Sequence, residues 1–367
     1  MNRAVIVEAK RTPIGKINGM FRDYSVEKLA APLLTYISKG IENEIADVIF
    51  GNVVGPGGNV ARLSALEAGL PYGVPGVTID RQCGAGLEAI RLACHLIQGG
   101  AGTCYIAGGA ESVSTSRFEK RARFSPEHIG DPDMGVAAEY VAKRYGITRE
   151  MQDTYACLSY KRALAALEKG YLQEEIVPVS HITVDETVKH CMNYERMIKR
   201  TRPAFLQEGT VTAGNSCGVN DGACALLIMN ETQAEKLGYK PVLRFVHSAV
   251  AGVDPHFPGS GPIFAVQKLL QQMNLTIEDI DYIEMNEAFA SKIVACAREL
   301  NIPYEKLNVN GGAIAVGHPY GASGAMLVTK LFYQVQREQV KYVIATLGIG
   351  GGIGLALLFE KLSIPKF

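Results

Sequence analysis

Two distant segments of the chain repeat the same spacing of turn-forming and chemically active residues, which restricts the fold more than any other feature. "DVIFGN" places Asp47 five residues before Asn52, and "DYIEMN" places Asp281 five before Asn286. Cys83 follows Asn52 by 31 positions (83 − 52), and His318 follows Asn286 by 32 (318 − 286). Each opens a Gly/Ala-rich turn, followed by a helical stretch and a strand-like run ending in glycine-rich sequence. A duplicated α/β unit accounts for this pairing, with Cys83 and His318 on equivalent turns.

The local patterns agree. Ala4 to Val7, Val48 to Phe50, Cys104 to Ala107, Ala225 to Met229 and Val343 to Leu347 read as buried strands, separated by stretches of helical period, which implies an α/β sheet covered on both faces. Leu87, Ile90, Ala93, Cys94 and Ile97 fall on one helical face between Gly86 and Gln98, and Gly99 and Gly100 stop that helix. Gly321 to Gln336 repeats the design. From Ser116 to about Cys217 the character changes: charged "RFEKRARF", polar "SPEHIGDPD", a helical stretch from Gly135 to Gly170, and basic Lys199 to Arg202. This reads as an insertion between the halves.

At 367 residues the chain is long enough for two or three packed units. Its 37 basic and 37 acidic side chains leave no overall positive field for nucleic acid or an anionic membrane, so the expected partners are small molecules or further subunits. Eight cysteines lack any CxxC pair or Cys/His spacing, which argues against a zinc site or disulfide framework and fits a reducing compartment. The N-terminus has no signal-like apolar core, and no run approaches a membrane span. A cytoplasmic protein is expected.

Cys83, in "DRQCGAGLEAI", stands at the first turn of the Gly86 helix, where backbone amides should favour a thiolate and small neighbours leave the sulfur accessible. These features favour a nucleophile; the alternative is a buried cysteine filling a tight turn. His318, in "GGAIAVGHPYGASG", could take the thiol proton, or could be structural. Asn286 and Glu287 lie where a strand enters a helix, and Asn286 could cap that helix. The run "GIGGGIG", Gly348 to Gly354, could aim N–H groups at an oxyanion. Ile353 stands where a dinucleotide fingerprint needs its third glycine, so a Rossmann reading fails.

Taken with "VIVEAKRTPIGK", "AGGAES", "GTVTAGNSCGVNDGA" and "VDPHFPGSGP", these motifs resemble the thiolase family, in the family's order over nearly the whole chain. The resemblance implies two duplicated βαβαβαββ halves layered α/β/α/β/α, with an inserted loop domain. Its boundaries would be 1–117 plus 218–240 for the N-terminal half, 118–217 for the insertion and 241–367 for the C-terminal half. It implies an acyltransferase that condenses acetyl-CoA, or cleaves acetoacetyl-CoA or a longer 3-ketoacyl-CoA, through a thioester on Cys83. Decarboxylative condensation, thioester hydrolysis and acyl-CoA binding without turnover are the alternatives. His318 would activate Cys83, and Asn286 would hold a water that forms one oxyanion hole with His318. The N–H groups of Cys83 and Gly350 would form the second. Coenzyme A, a substrate and not a tightly bound cofactor, would contact Met134, Lys189, Ser216 and Cys217, although a solvated role suits Lys189 better.

Four departures stand out. Gly348 occupies the position where most of the family has a second cysteine that moves the α-proton, so restoring that side chain should speed carbon–carbon cleavage if the backbone accommodates a Cβ. Cys217 stands where a serine is usual and could supply a substitute thiol, or could be a core residue; Asp133 replaces a pantetheine-contacting histidine. The stretch from Gly108 to Gly135 is too short for a tetramerisation loop, which implies a homodimer.

Overall fold

The computed structural model describes residues 2–116, 121–189 and 193–362. In the first half, β1 (Ala4–Arg11) is followed by the short β2 (Gly15–Lys16), α1 (Val26–Ser38), β3 (Asp47–Gly51), α2 (Val60–Glu67), β4 (Gly76–Ile79), α3 (Ala85–Gln98) and β5 (Cys104–Glu111). Five helices then leave the sheet: α4 (Met134–Arg144), α5 (Arg149–Glu168), α6 (Tyr171–Glu174), α7 (Glu186–Lys189) and α8 (Tyr194–Arg200). The chain returns in β6 (Asn220–Asn230), and α9 (Glu231–Lys236) leads to the second half. There, β7 (Leu243–Gly252), α10 (Gly261–Met273), β8 (Tyr282–Met285), α11 (Ala290–Glu299), α12 (Ala313–Val316), α13 (Tyr320–Arg337), β9 (Tyr342–Ile349) and β10 (Ile353–Lys361) follow.

The strand order β4-β3-β5-β6-β1 is mirrored by β8-β9-β10-β7. In both halves one parallel pair (β3/β5, β8/β9) is followed by two antiparallel ones. A parallel bridge from Ile283 to Leu307 marks where the counterpart of β4 would lie. The half-sheets meet edge to edge, with Val5 opposite Arg244 and Ile6 opposite Leu243. Asn52 and Asn286 each directly follow their strands, and Cys83 and His318 each precede a central helix by two residues, as the repeat predicts. One expectation is corrected: the helical stretch 135–170 is two helices, broken at Tyr145–Thr148 where Thr148 caps α5 through Met151 N.

The central helices α3 and α13 pack on each other and reach strands of both halves, whereas α1 and α2 cover one outer face and α10 the other. Burial over most of its length makes α13 fit for a middle layer, whereas α3 carries Glu88, Arg91 and His95 along one side. Leu87, Ile90, Ala93 and Ile97 are all fully buried, as is α13 over most of its length. Glycine sets how closely the two helices cross: a Cβ on Gly86 would fall 2.6 Å from the Gly321 carbonyl oxygen, and one on Gly324 would fall 2.4 Å from Leu87 N. That close crossing brings the Cys83 and His318 turns together. The insertion is anchored to β1 by fully buried Arg11, whose Nε donates to Glu175 at 2.6 Å and whose Nη1 and Nη2 donate to Asp185 at 2.7 and 2.9 Å. A fork of this kind is rigid and directional.

Candidate active site

Cys83 and His318, 235 residues apart, face each other with Sγ 3.3 Å from Nε2. The turn that presents Cys83 is strained at Gln82, whose φ is +48°. On the other side, Ser323 Oγ lies 2.5 Å from His318 Nδ1, and Asn220 Oδ1 accepts from the His318 backbone N–H at 2.9 Å. With Nδ1–H donating to Ser323, Nε2 keeps a lone pair toward the thiol, the tautomer a base requires. Asn286 is buried, and its Nδ2 lies 3.4 Å from the same Nε2. It does not cap α11, because the capping position is Phe289. Glu287 instead accepts from Tyr155 (2.7 Å), Ser159 (2.6 Å), Asn308 (3.0 Å) and Ile314 N (3.2 Å), so its carboxylate joins the insertion to the second half.

Electrostatics correct the expectation of a ready thiolate. Burial pushes the Cys83 thiol up to about 11, outweighing the charge of nearby Lys292 and Cys83's own N–H, which pull it down. Burial, with a further push from Lys292, brings His318 down to about 3. Both shifts favour a thiol beside a neutral imidazole near neutral pH. An arrangement of this type transfers the proton as the sulfur attacks, not before.

Cys83 and Gly350 border one pocket, together with Met134, Gln82, Phe124 and Tyr320. Gly350 belongs to the turn between β9 and β10, where Gly351 and Gly352 have φ of +83° and +80°. Phe124 packs so tightly on Gly350 that a Cβ there would fall 2.8 Å from its ring. Met134 opens α4, and Asp133 caps that helix by accepting from Gly135 N at 2.8 Å. Asp133 therefore has a structural duty of its own.

Other expected contacts fall differently. Ser216 is buried and its hydroxyl donates inward to Thr212 O at 2.6 Å, so it does not face the pocket. Cys217 lies near enough to Cys83 for the two to interact electrostatically, but burial pushes its thiol up to about 12. The Lys189 side chain is outside the described residues. Gly348 lies inside β9 opposite Gly354, not in the glycine-rich turn, and its φ is not positive. The obstacle to a side chain there is steric: a Cβ would meet Pro258 O at 2.5 Å, Pro262 Cδ at 3.2 Å and Gly259 Cα at 3.5 Å.

The sequence reading missed Ser323, Asn220 and Lys292. Ser323 could have been found from its position one turn into the helix that His318 precedes. The sign for Lys292 was a lone charge in the apolar run of α11. Asn220 left no local sign, since only the fold brings it to His318.

The chain belongs to the thiolase family: the model for the thiolase N-terminal domain matches residues 4–232 and that for the C-terminal domain matches residues 239–361. Among similar proteins, "Putative acetyl-CoA C-acetyltransferase YhfS" of Bacillus subtilis (strain 168) is 56% identical over 98% of this chain and 100% of its own length. "Putative acetyl-CoA C-acetyltransferase VraB" of Staphylococcus epidermidis is 47% identical over 98% and 99%. The crystal structure of the Bacillus anthracis acetyl-CoA acetyltransferase superposes with a TM-score of 0.92 at 37% identity, over 99% of both chains.

Proposed function

We propose that this chain is an acetyl-CoA C-acyltransferase that interconverts two acetyl-CoA with acetoacetyl-CoA and CoA, or cleaves a longer 3-ketoacyl-CoA, through an acyl thioester on Cys83. The observation that carries the reading is the 3.3 Å approach of Cys83 Sγ to His318 Nε2 beside Asn286, at the rim of an open pocket. As Cys83 attacks the acyl carbonyl, His318 takes its proton and CoA leaves. Asn286 and His318 on one side, and the N–H groups of Cys83 and Gly350 on the other, stabilise the oxyanions. CoA enters past Met134, with the insertion covering its pantetheine. The boundaries 1–117 plus 218–240, 118–217 and 241–367 divide the chain between nucleophile, CoA cover and base.

Supporting a homodimer, β4 ends the sheet with Val77 39% exposed, an unpaired edge suited to pairing with a second copy. A reducing, cytoplasmic setting suits the seven described cysteines, which are all free. No helix among the described residues is long and apolar enough to cross a membrane, and no cluster there could hold a metal ion.

Mass spectrometry after incubation with acetyl-CoA tests the reading: an acetyl adduct on Cys83 is expected, and turnover by Cys83→Ser would refute it. Thiolysis of acetoacetyl-CoA run beside malonyl-CoA condensation separates this function from decarboxylative chemistry. Light scattering tests the dimer, which a stable tetramer would contradict.

A further inference from the structure

The thiolase resemblance implies a cysteine at the position of Gly348 to carry the α-proton, and the structure bars a simple replacement there. A Cβ on Gly348 would run into Pro258 O at 2.5 Å and touch Gly259 Cα at 3.5 Å. Lys292, in the first turn of α11, runs past Gly259 beside Val141: a Cβ on Gly259 would lie 3.2 Å from Lys292 Cβ and 3.3 Å from its Cγ. Lys292 is 3% exposed, and its Nζ has no hydrogen-bond partner among the described residues. Such a group is costly to bury, and native proteins keep few of them without a reason.

We propose that Lys292 is the acid–base group that carries the α-proton in this enzyme, its amine standing in for the absent cysteine.

This rests on the acyl-Cys83 reading. Lys292 packs on Gly259, the residue whose Cα a side chain on Gly348 would touch at 3.5 Å, and its charge acts on Cys83, Cys217 and His318. Burial has opposite consequences for the candidates. It pushes the Cys217 and Cys296 thiols up to about 12, away from the thiolate a base must be, and Cys296 Sγ already donates to Gly259 O at 3.4 Å. The same burial lowers Lys292 and so favours its neutral amine, the base form.

The protons balance over both halves of the reaction. In thiolysis, Cys83 attacks the 3-keto carbonyl and passes its proton to His318. The bond between C2 and C3 breaks, its electron pair moves to C2 of the departing acetyl-CoA enolate, and Lys292 ammonium protonates C2. Free CoA then attacks the acyl thioester and gives its thiol proton to the Lys292 amine, while Cys83 leaves and recovers its proton from His318. Condensation is the reverse, with the Lys292 amine removing the α-proton.

The test compares wild type, Lys292→Met and Lys292→Ala in acetoacetyl-CoA thiolysis and in acetylation of Cys83. The acetyl donor is a thionitrobenzoate thioester, whose leaving thiolate needs no proton. Both variants are expected to acetylate Cys83 within about threefold of wild type and to lose about 10²- to 10⁴-fold in thiolysis. Ethylamine should restore thiolysis to Lys292→Ala in proportion to its concentration. Lys292→Met should melt no lower than wild type, because it replaces a buried polar group that has no hydrogen-bond partner among the described residues with an apolar side chain of similar length. Thiolysis unchanged in the variants, or lost together with acetylation and thermal stability, would overturn the proposal. An acetoacetyl adduct trapped on Lys292 by borohydride would also overturn it, by showing an imine instead of a base. Wild type that cannot acetylate Cys83 at all overturns the acyl-enzyme reading itself, an outcome visible before any Lys292 variant is made.

Discussion

A side chain at Gly348 should destabilise the protein without restoring fast chemistry. The Cβ of Gly348→Ala would lie 2.5 Å from Pro258 O, against a floor of 3.0 Å for real contacts, so at least 0.5 Å (3.0 − 2.5) must come from backbone. The obstruction belongs to a tight turn, Pro258–Ser260, that leads directly into α10, so relief requires moving a helix start. Overpacking of this sort costs about 1–3 kcal/mol. An unfolding entropy of about 2.1 cal/mol/K per residue, over 367 residues, converts that to a fall of about 1–4 °C in Tm. Gly252→Ala is the control, because a Cβ there meets nothing within 4 Å and φ is not positive. It should gain about 0.4–1 kcal/mol by restricting the unfolded chain. Thermal melts followed by far-UV circular dichroism suit a chain without tryptophan. Gly348→Cys should show the same loss, with thiolysis raised by less than the roughly 10²-fold that a positioned acid or base supplies. Gly348→Ala as stable as Gly252→Ala would refute the steric argument, and a 10²-fold acceleration in Gly348→Cys would remove the need for Lys292.

Alkylation of Cys83 by iodoacetamide should keep accelerating with pH toward about 11, because burial holds the thiol protonated; a plateau reached near neutral pH would show a thiolate–imidazolium pair instead. His318 is held neutral well below its ordinary value, so its stabilising term is complete above about pH 6.5 and is lost as the pH falls through about 3. His318→Asn should therefore lose less stability than wild type over that interval in urea titrations, and identical slopes would contradict the assignment. Arg11→Met strands the buried carboxylates of Glu175 and Asp185, for an expected loss of about 3–5 kcal/mol. Equal or greater stability of that variant on thermal melting would show that the ion cluster does not anchor the insertion.

Much of the architecture could be read along the chain because the signals are local. The spacing from Asn52 to Cys83 and from Asn286 to His318 records a strand, a connection and a turn of fixed length, and the same elements recur in both half-sheets. Helical period located α3 and α13 to within a residue or two, with Gly99 and Gly100 marking the end of α3, since such signals depend on neighbours three or four positions away. The thiol and imidazole were identifiable for the same reason: each sits on a turn whose small residues announce it. Tertiary structure alone decided what those groups are at neutral pH. A helix start suggested a thiolate, yet desolvation outweighs it, and desolvation depends on everything packed around an atom. The same holds for Ser216, which faces inward to Thr212, for Ser323 and Asn220, which orient His318, and for Lys292, a charge in a helix until α11 is laid against Gly259. Gly348 makes the distinction plainest. In the sequence it is a missing cysteine; in the fold it is a strand position closed by the Pro258 carbonyl, a neighbour 90 residues away (348 − 258) that only the packing of α10 on β9 and β10 brings into contact.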